Sequence, residues 1–579
     1  MSKTINKNSR YYLDNPHLGA AIAMRHNLLR QSGYGDDTTA AMQLPAVGVF
    51  NFHGTNPCNG HHRHLAEEVA APVLRDLGIV PIPQAFACPN DAVITGGELV
   101  MAWSQPMRDM MAMSMQAVAM MHWHDGLIIV TGCDKSEPAA AIALGLLRNV
   151  LPGVLVYGGS ISQGCCSDGT SCTIADAVNS FGAVAAGKMS EDGPGGRQDI
   201  IAHACDTPGG CGVMATSVTE ACINAALGFQ VINSASNIAV SDAKNEDVRD
   251  AARYLQNLME QGIVTADIVT RDSFLNAITV LHMMGGSTNG VQHLIAKARC
   301  FGIKLAVADF AELQNIPVIA NISPGGVYTA QEFYEKVPGG LASVFKYLIQ
   351  TGHMKGEPLT YAGVSMEETV ADAPDLDFNA QDVILPIEKP LSQTAALRYV
   401  REDAASRVPS GYASLVEPGD SAVFKINSVH DVVSFRGPAQ TFPNRQAFLD
   451  AVTAGTVRDG SVIVVRNLGP GSPEELGLTA ALTGSGLSKT TAIALPERLS
   501  GVSQGIIAVH FKKGPSLKVQ DGDMIVMDGG SGLFFVEVPE SEFTARTPFK
   551  EEPLPPEYTT GLMSLEDRRK PLGQGGGYF

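Results

Sequence analysis

The sequence of 579 residues contains no apolar run of transmembrane length, so a membrane-spanning helix is not expected. Its polar start, from Met1 to Lys7, lacks the hydrophobic core of a signal peptide. Basic residues are also in deficit, with 41 Lys and Arg against 59 Asp and Glu, and the net charge is −18. Such a charge disfavours nucleic acid or an anionic membrane as a partner. We therefore expect a cytoplasmic protein.

Cysteine is sparse, with 10 residues in the whole chain, which is too few for a disulfide scaffold. In a reducing compartment these thiols would stay free, and those that lie in loops are candidate metal ligands. The segment from Cys165 to Cys172 has the spacing of a metal loop, but the chain has no second cysteine pair at zinc-ribbon distance. A structural cysteine–zinc site is therefore only an alternative use of these thiols.

Short apolar runs alternate with loops and helical stretches in the first part of the chain. The runs at 46–52, 79–82 and 126–130 are typical of buried strands, and the alternation predicts a parallel sheet covered by helices. Later in the chain the composition changes to short apolar strands separated by Gly, Pro and Asp. We therefore predict an α/β protein in which a parallel-sheet α/β domain over 1–380 is followed by a β-rich domain over 381–579.

Residues suited to metal chemistry follow the third of these runs. Gly132 ends the strand, and Cys133, Asp134 and Lys135 place a thiolate, a carboxylate and an amine side by side. Thiolates suit iron–sulfur clusters or zinc, and carboxylates suit magnesium, so one turn could hold two different metals. In the ordinary alternative, Cys133 is a small buried residue and Asp134 caps a helix.

The two other strand exits carry similar side chains. Cys58 follows the first run, in a loop whose histidines at 61, 62 and 64 are more typical of solvated residues than of metal ligands. The loop after the second run contains Cys88 and the acidic residues Asp91 and Glu98. The first loop therefore adds a second cysteine at a strand exit, and the second loop supplies carboxylates.

Two glycine-rich turns precede predicted helices. The first contains Cys205 and Cys211, and Cys211 is better placed as a ligand because the N-terminus of the helix at 215–227 favours the thiolate. The second is Gly285-Gly286-Ser287-Thr288-Asn289, which opens an apolar helix. Its backbone donors suit a carboxylate or a phosphate, although an ordinary capped helix start has the same pattern.

Four motifs occur in a fixed order, namely Pro57-Cys58-Asn59, Gly132-Cys133-Asp134-Lys135, Gly209-Gly210-Cys211 and Gly285-Gly286-Ser287-Thr288-Asn289. In this order the chain resembles the dihydroxy-acid / sugar-acid / 6-phosphogluconate dehydratase family, from about Arg25 to His510. The resemblance implies that Cys58, Cys133 and Cys211 hold an iron–sulfur cluster, of the 2Fe-2S rather than the 4Fe-4S kind because Pro-Cys-Asn is present. Three thiolates would leave one iron open to a substrate.

The same resemblance implies a magnesium ion. Its ligands in the first domain would be Asp91 or Glu98, together with Asp134 and a carbamylated Lys135. An unmodified lysine would be a poor ligand, so carbamylation gives chemical sense to Lys135 beside Asp134. In the second domain the ligand would be Glu474, in preference to its neighbour at 475.

For the second domain the resemblance implies a β-barrel-like fold and a catalytic serine loop. Arg498-Leu499-Ser500-Gly501 matches that loop, so Ser500 is the expected general base, with Arg498 and Lys135 as further catalytic residues. Two features depart from the family pattern. Pro496 and Glu497 replace Asp-Gly before the arginine, and the glycine loop before Glu474 is shortened.

The expected reaction is dehydration of a 2,3-dihydroxy carboxylic acid to a 2-keto-3-deoxy acid, with contacts to the substrate from Ser287, Thr288, Asn289 and Ser503. Since no basic cluster suited to phosphate stands out, an unphosphorylated sugar acid such as an aldonate is the main expectation. The alternatives are a dihydroxy-acid dehydratase of branched-chain amino-acid synthesis and a non-catalytic iron–sulfur paralogue. A homodimer or homotetramer is expected.

Overall fold

The computed structural model describes residues 8–54, 56–88, 92–95, 101, 103–468, 474–496 and 498–551. These residues form a helix-covered parallel sheet followed by a larger mixed sheet. No helix in these ranges is long and apolar enough to cross a membrane.

A parallel sheet lies at the centre of the first half. Among the described residues its strands are β1 (Ala46–Asn51), β2 (Val80–Ala85), β3 (Gly126–Thr131) and β4 (Gly153–Tyr157). They lie in the order β2-β1-β3-β4, and every neighbouring pair is parallel. All residues of β1, β3 and β4 are buried, as expected for strands whose faces are covered. The predicted parallel sheet is confirmed.

Helices pack around this sheet, and α6 and α10 contact β3 and β4. The helices are α1 (Tyr11–Asp14), α2 (Gly19–Gln31), α3 (Ala71–Asp76), α4 (Ala92–Thr95), α5 (Ser104–Met121), α6 (Ser136–Leu147), α7 (Ile174–Ala185), α8 (Arg197–His203), α9 (Thr216–Ala226), α10 (Asp242–Gln261), α11 (Thr265–Ile268), α12 (Arg271–Met283), α13 (Asn289–Phe301), α14 (Val307–Glu312), α15 (Ala330–Lys336), α16 (Gly340–Gln350) and α17 (Met366–Val370). A π-helix spans His64–Ala70, and 3₁₀ turns span Ala41–Gln43, Pro57–Asn59 and Ile232–Ala235.

The cysteine-rich segment between the sheet and α7 forms a short antiparallel hairpin, β5 (Gly164–Cys165) and β6 (Ser171–Cys172). Cys166 and Cys172 are buried in a small apolar cluster with Ile200 and Ala204. Burial and a hydrogen bond with Cys166 raise the pKa of Cys172 to about 12. These two thiols therefore behave as small hydrophobic residues.

A mixed sheet dominates the second half. Its described strands are β7 (Leu397–Val400), β8 (Tyr412–Ser414), β9 (Ala422–Ile426), β10 (Ser434–Asn444), β11 (Val462–Asn467), β13 (Ala492–Ala494), β15 (Ile506–Val509), β16 (Met524–Asp528) and β17 (Leu533–Pro539), and a separate parallel pair is formed by β12 (Glu474–Glu475) and β14 (Arg498–Leu499). The sheet curls into a half-barrel in the order β7-β9-β15-β13-β11-β10-β16-β17-β8, which confirms the β-barrel-like prediction in an open form. The helices are α18 (Arg445–Thr453), α19 (Gly477–Ser485) and α20 (Glu540–Ala545), with 3₁₀ turns at Ala404–Arg407, Leu487–Lys489 and Pro515–Lys518.

The two halves meet where α7 crosses α19. A Cβ atom at Gly182 would lie 2.3 Å from the carbonyl oxygen of Ala481, and one at Gly484 would lie 2.0 Å from the carbonyl oxygen of Asn179. The helix backbones are therefore in direct contact, and any side chain at either glycine would force them apart. This contact fixes α19 of the second half against α7 of the first half.

Candidate active site

Cysteines gather at the carboxyl edge of the parallel sheet. Strands β2, β1 and β3 are neighbours, and each leads into a loop with one cysteine, which is Cys88, Cys58 and Cys133 respectively. Hydrogen bonds with Cys58 and Cys88 lower the pKa of the Cys133 thiol well below its ordinary value. The side-chain nitrogen of Asn56 lies 3.8 Å from the Cys88 sulfur and 3.7 Å from the Cys133 sulfur. The structure thus brings together the predicted Cys58 and Cys133, and adds Cys88, which belongs to none of the four motifs.

The turn that carries Cys211 lies against the same edge. A Cβ atom at Gly210 would lie 2.1 Å from the Tyr157 hydroxyl and 3.0 Å from the carbonyl oxygen of Gly132. Only a glycine fits there, so the backbone before Cys211 closely approaches the backbone before Cys133. Cys205, by contrast, is exposed. The preference for Cys211 over Cys205 agrees with this placement.

His62 and Asn59 cover the turn before Cys133. A Cβ atom at Gly132 would lie 2.6 Å from Nε2 of His62 and 2.8 Å from Oδ1 of Asn59. Neither ring nitrogen of His62 has a hydrogen-bond partner in the described part of the chain, and burial lowers the pKa of this histidine well below its ordinary value. The interpretation of His62 as a solvated loop residue is wrong, because the loop folds back over the sheet edge. Thiols beside a neutral, unpartnered imidazole suit an iron–sulfur cluster, whose sulfides accept hydrogen bonds.

Hard and soft donors are adjacent, as the sequence predicts. Asp134 forms a buried ion pair with Lys135, and its Oδ1 atom lies 3.7 Å from the Cys133 sulfur. Asp91 and Glu98 lie outside the described residues, so their assignment stays a prediction. Across the ranges that the structure describes, no three His, Cys, Asp or Glu side chains are arranged to hold a metal ion.

The paired glutamates at 474 and 475 differ in their surroundings. Glu475 is buried in an ion pair with Arg445, and its second carboxylate oxygen accepts a 2.9 Å hydrogen bond from the backbone of Leu478, at the start of α19. Glu474 pairs with Arg498 in the β12–β14 register, and its side chain lies outside the described atoms. The structure thus gives Glu475 a structural role.

Ser500 is buried between the two halves. Its amide donates a 2.9 Å hydrogen bond to the carbonyl oxygen of Glu475. A Cβ atom at Gly501 would lie 2.3 Å from the backbone nitrogen of Thr216, the first residue of α9. The serine loop therefore contacts the N-terminus of the helix that follows Cys211. A helix N-terminus favours negative charge nearby, which suits a serine that must lose its proton.

A buried network of polar side chains holds the serine loop in place. Arg498 donates a 2.7 Å hydrogen bond to the side-chain oxygen of Gln105 on α5. On the same helix, Arg108 pairs with Asp109 and donates a 3.0 Å hydrogen bond to Nδ1 of His293. Burial and the nearby cations, Arg108 first among them, hold the pKa of His293 well below its ordinary value. No motif signalled Gln105 or Arg108, because their partners are distant in sequence.

Two of the three side chains in the turn at 287–289 form hydrogen bonds with the start of α9. Ser287 and Asn289 both hydrogen-bond the hydroxyl of Thr216, at 3.0 and 3.1 Å. The Thr288 hydroxyl is buried without a hydrogen-bond partner among the described residues. The hydroxyl of Ser503 accepts a 2.8 Å hydrogen bond from Thr479. Of these predicted substrate contacts, Thr288 has the polar atom best suited to a ligand.

Comparison with known proteins defines the class of this molecule as the iron–sulfur-dependent dehydratases, which are hydro-lyases. An N-terminal model described as dihydroxy-acid/6-phosphogluconate dehydratase matches residues 44–369, and the corresponding C-terminal model matches residues 382–570. The chain therefore belongs to the dihydroxy-acid/6-phosphogluconate dehydratase family. This confirms the predicted family and enzyme class.

Named relatives cover nearly the whole chain. The dihydroxy-acid dehydratase of Lactococcus lactis subsp. cremoris (strain SK11) is 31% identical over an alignment of 581 positions, which covers 99% of this chain and 97% of the relative. Those of Ralstonia nicotianae and Thermus thermophilus are each 34% identical, over 90% and 94% of this chain and 91% and 95% of the relatives. Their shared name favours the branched-chain alternative over the sugar acid that was the main expectation. The family implies an iron–sulfur cluster and Mg²⁺.

Proposed function

We propose that this enzyme dehydrates a branched 2,3-dihydroxy carboxylic acid to the corresponding 2-keto acid. The observation that carries the proposal is the contact between Gly501 and Thr216, which places Ser500 at the helix that follows the Cys211 turn. The reaction removes the proton on C2 and the hydroxyl on C3 as one water, and the resulting enol tautomerises to the ketone. The shared name of the relatives supports a branched acid rather than an aldonate.

The chemistry of the donor groups, soft thiols beside a hard carboxylate, suits the two implied cofactors. Cys58, Cys133 and Cys211 would hold a 2Fe-2S cluster, and the magnesium ion would be held by Asp134, carbamylated Lys135, Asp91 or Glu98, and Glu474. Bound there, the metals would supply Lewis-acid charge toward the carboxylate and hydroxyl oxygens of the substrate. Carbamylation would remove the positive charge that now pairs Lys135 with Asp134 and would add two ligand oxygens.

The proton of C2 goes to Ser500. A free hydroxyl is far too basic for this task, so its surroundings must favour the ionised form. Two described features do so, namely the N-terminus of α9 and, where it is protonated, the side chain of Lys425, which donates to the carbonyl oxygen of Gly501. Arg498 fixes the loop through Gln105, and the Thr288 hydroxyl is placed to bind a polar group of the substrate.

The test is a substrate panel on anaerobically purified protein with Mg²⁺. The panel contains 2,3-dihydroxy-3-methylbutanoate, gluconate and 6-phosphogluconate, and each reaction is scored for the 2-keto acid formed. We expect the branched acid to be turned over with a kcat/KM at least ~10²-fold above that for gluconate, the discrimination that a pocket without partners for extra hydroxyls can achieve. Turnover of gluconate alone would restore the sugar-acid function. Absence of turnover with all three would favour the non-catalytic paralogue.

A homo-oligomer is part of the proposal. The methionine-rich helix α5 leaves Met110, Met113, Met120 and Met121 between 43% and 73% exposed. Flexible methionine side chains on one helix are common at subunit interfaces. Light scattering after size exclusion should give a dimer or a tetramer, and a monomer would contradict this part of the proposal.

A further inference from the structure

We propose that Cys88 is a fourth thiolate of the cluster site, which ligates iron when no substrate is bound and is displaced by the substrate hydroxyl. This inference rests on the proposed function, because it concerns the iron position that three cysteines would leave open. It assigns a role to a cysteine that belongs to none of the four family motifs in the sequence.

The position of Cys88 in the fold is the first argument. Strand β2 is the direct neighbour of β1, and β1 is the direct neighbour of β3, so their exits lie in a row at one edge of the sheet. Parallel strands of an open sheet place ligand-binding residues at this edge. Cys88 therefore stands in the same structural relation to Cys58 as Cys133 does, one strand away on the other side.

The contacts of the Cys88 sulfur are the second argument. The thiol is in hydrogen-bond contact with the thiol of Cys133, which also contacts the thiol of Cys58. The side-chain amide of Asn56 reaches both Cys88 and Cys133, at 3.8 and 3.7 Å. Amide donors directed at sulfur stabilise thiolates and tune iron–sulfur clusters. The thiols of Cys58, Cys88 and Cys133 therefore form one connected group of contacts that shares an amide donor.

A comparison with the other cysteines supports this assignment. Burial is the main cause that raises the pKa of Cys222 and Cys300, to about 12 and about 11, whereas the hydrogen bond with the Cys133 thiol is the first cause that raises the pKa of Cys88 well above its ordinary value. Cys88 and Cys58 are half-buried, whereas Cys133, whose thiol contacts both of them, is fully buried. Both half-buried thiols are therefore partly accessible, and Cys88 is the one of the two that lies outside the four motifs.

The exchange is balanced without an oxidant or a reductant. Cys88 releases its thiol proton to solvent when the sulfur binds iron. When the C3 hydroxyl of the substrate takes this position, the Cys88 sulfur regains a proton. In the absence of substrate, the fourth thiolate would keep oxygen and water away from the iron.

The experiment compares wild-type protein with Cys88→Ala and Cys88→Ser, all purified anaerobically with the cluster in place. Exposed Cys165 lies in the separate β5–β6 hairpin, and Cys165→Ser is the matched control. Iron and sulfide content, the visible spectrum and the electron paramagnetic resonance spectrum of the reduced cluster are recorded with and without 2,3-dihydroxy-3-methylbutanoate. The half-life of the visible colour in air is measured for the same four proteins.

Wild type and both Cys88 variants should contain equal iron, because three cysteines remain. Without substrate their spectra should differ, and with substrate the wild-type spectrum should move to that of Cys88→Ala. The variants should lose their colour in air about tenfold faster, and the Cys165→Ser protein should match wild type. Identical substrate-free spectra of wild type and Cys88→Ala at equal iron content would overturn the inference.

The outcome separates this inference from the proposed function. A protein that shows the spectral difference but dehydrates none of the acids would overturn only the proposed activity. A protein that dehydrates the branched acid and shows identical spectra would overturn only the role of Cys88. A wild-type protein that contains no iron after anaerobic purification and reconstitution would overturn both.

Discussion

The Nζ atom of Lys425 donates a 2.9 Å hydrogen bond to the carbonyl oxygen of Gly501, the residue that follows the proposed base. Lys425 is fully buried on β9, and burial lowers the pKa of its side chain to about 7. A lysine with this pKa changes its charge near neutral pH, directly behind the serine loop. It therefore links the stability of the site to pH.

The first prediction concerns this linkage. In the unfolded chain the pKa of a lysine is near its ordinary value of about 10.4, so between about pH 7 and pH 10 the unfolded state binds more protons. The free energy of unfolding should therefore rise with pH across this window, and the contribution of Lys425 should be lost as the pH falls through about 7. The Lys425→Met variant lacks this group.

Urea unfolding at three pH values between 7 and 10 checks this prediction. The difference in unfolding free energy between wild type and Lys425→Met should change by about 1–2 kcal/mol over this pH window. This change is smaller than the full linkage effect of a pKa shift of this size. The matched control is Lys304→Met, since Lys304 is exposed. A constant difference for Lys425→Met would contradict the depressed pKa.

The second prediction concerns the base. Ser500→Ala removes one oxygen from a buried loop, so folding and iron content should persist while turnover falls by roughly 10² to 10⁴, the contribution of a general base. Steady-state kinetics together with iron analysis measure both effects. The control is Ser406→Ala, because Ser406 is exposed and its hydroxyl donates to the carbonyl oxygen of Asp403, far from the site. Near-normal turnover of Ser500→Ala would make Ser503 the next candidate.

The third prediction concerns the cluster ligands. Replacing Cys58, Cys133 or Cys211 by Ser should remove iron and colour, because each lies at the carboxyl edge of the parallel sheet. Replacing Cys172 or Cys300 should leave iron content unchanged, since these thiols lie in apolar clusters. Iron and labile sulfide are assayed in all five proteins. Full iron content in Cys133→Ser would refute the assignment.

The fourth prediction separates the two glutamates. Glu474→Ala should weaken Mg²⁺ binding and leave the cluster colour intact. Glu475→Ala should destabilise the protein by about 2–3 kcal/mol, because it leaves Arg445 without its buried partner and removes a bond at the start of α19. Isothermal titration with Mg²⁺ and urea unfolding are run on both variants. Activity should also be lost on chelation and return with magnesium and bicarbonate, and full turnover without a divalent ion would contradict the magnesium site.

Much of the fold could be predicted from local sequence. The strand β3 is an unbroken apolar run, and a fully covered parallel strand has that pattern regardless of its neighbours. Cys133, Asp134 and Lys135 were found because they directly follow it. For the second half, a β-barrel-like sheet could be predicted. That the sheet stays open could not, because this depends on which strands pair, and several of the paired strands are distant in sequence.

The missed residues share one physical reason. Cys88 differs from a solitary loop cysteine only through its contact with Cys133, and Gln105 becomes important only through Arg498. His62 stands in a polar loop, so its complete burial depends on how that loop folds over Gly132. Each of these roles arises between segments that are far apart in the chain.

The position of the cysteines in the chain also determines when they are synthesised relative to the serine loop. The strands β1, β2 and β3 and the Cys211 turn are all synthesised before the serine loop, and domains generally fold from the N-terminus during synthesis. A nascent chain can therefore assemble its thiols before the half-barrel exists. Once Leu476 and Val502 pack against Cys211, that approach is covered. Insertion of the cluster into the nascent chain should thus be easier than insertion into the finished protein. A chain truncated after residue 380 would be suited to testing whether the cluster can be inserted before the half-barrel forms.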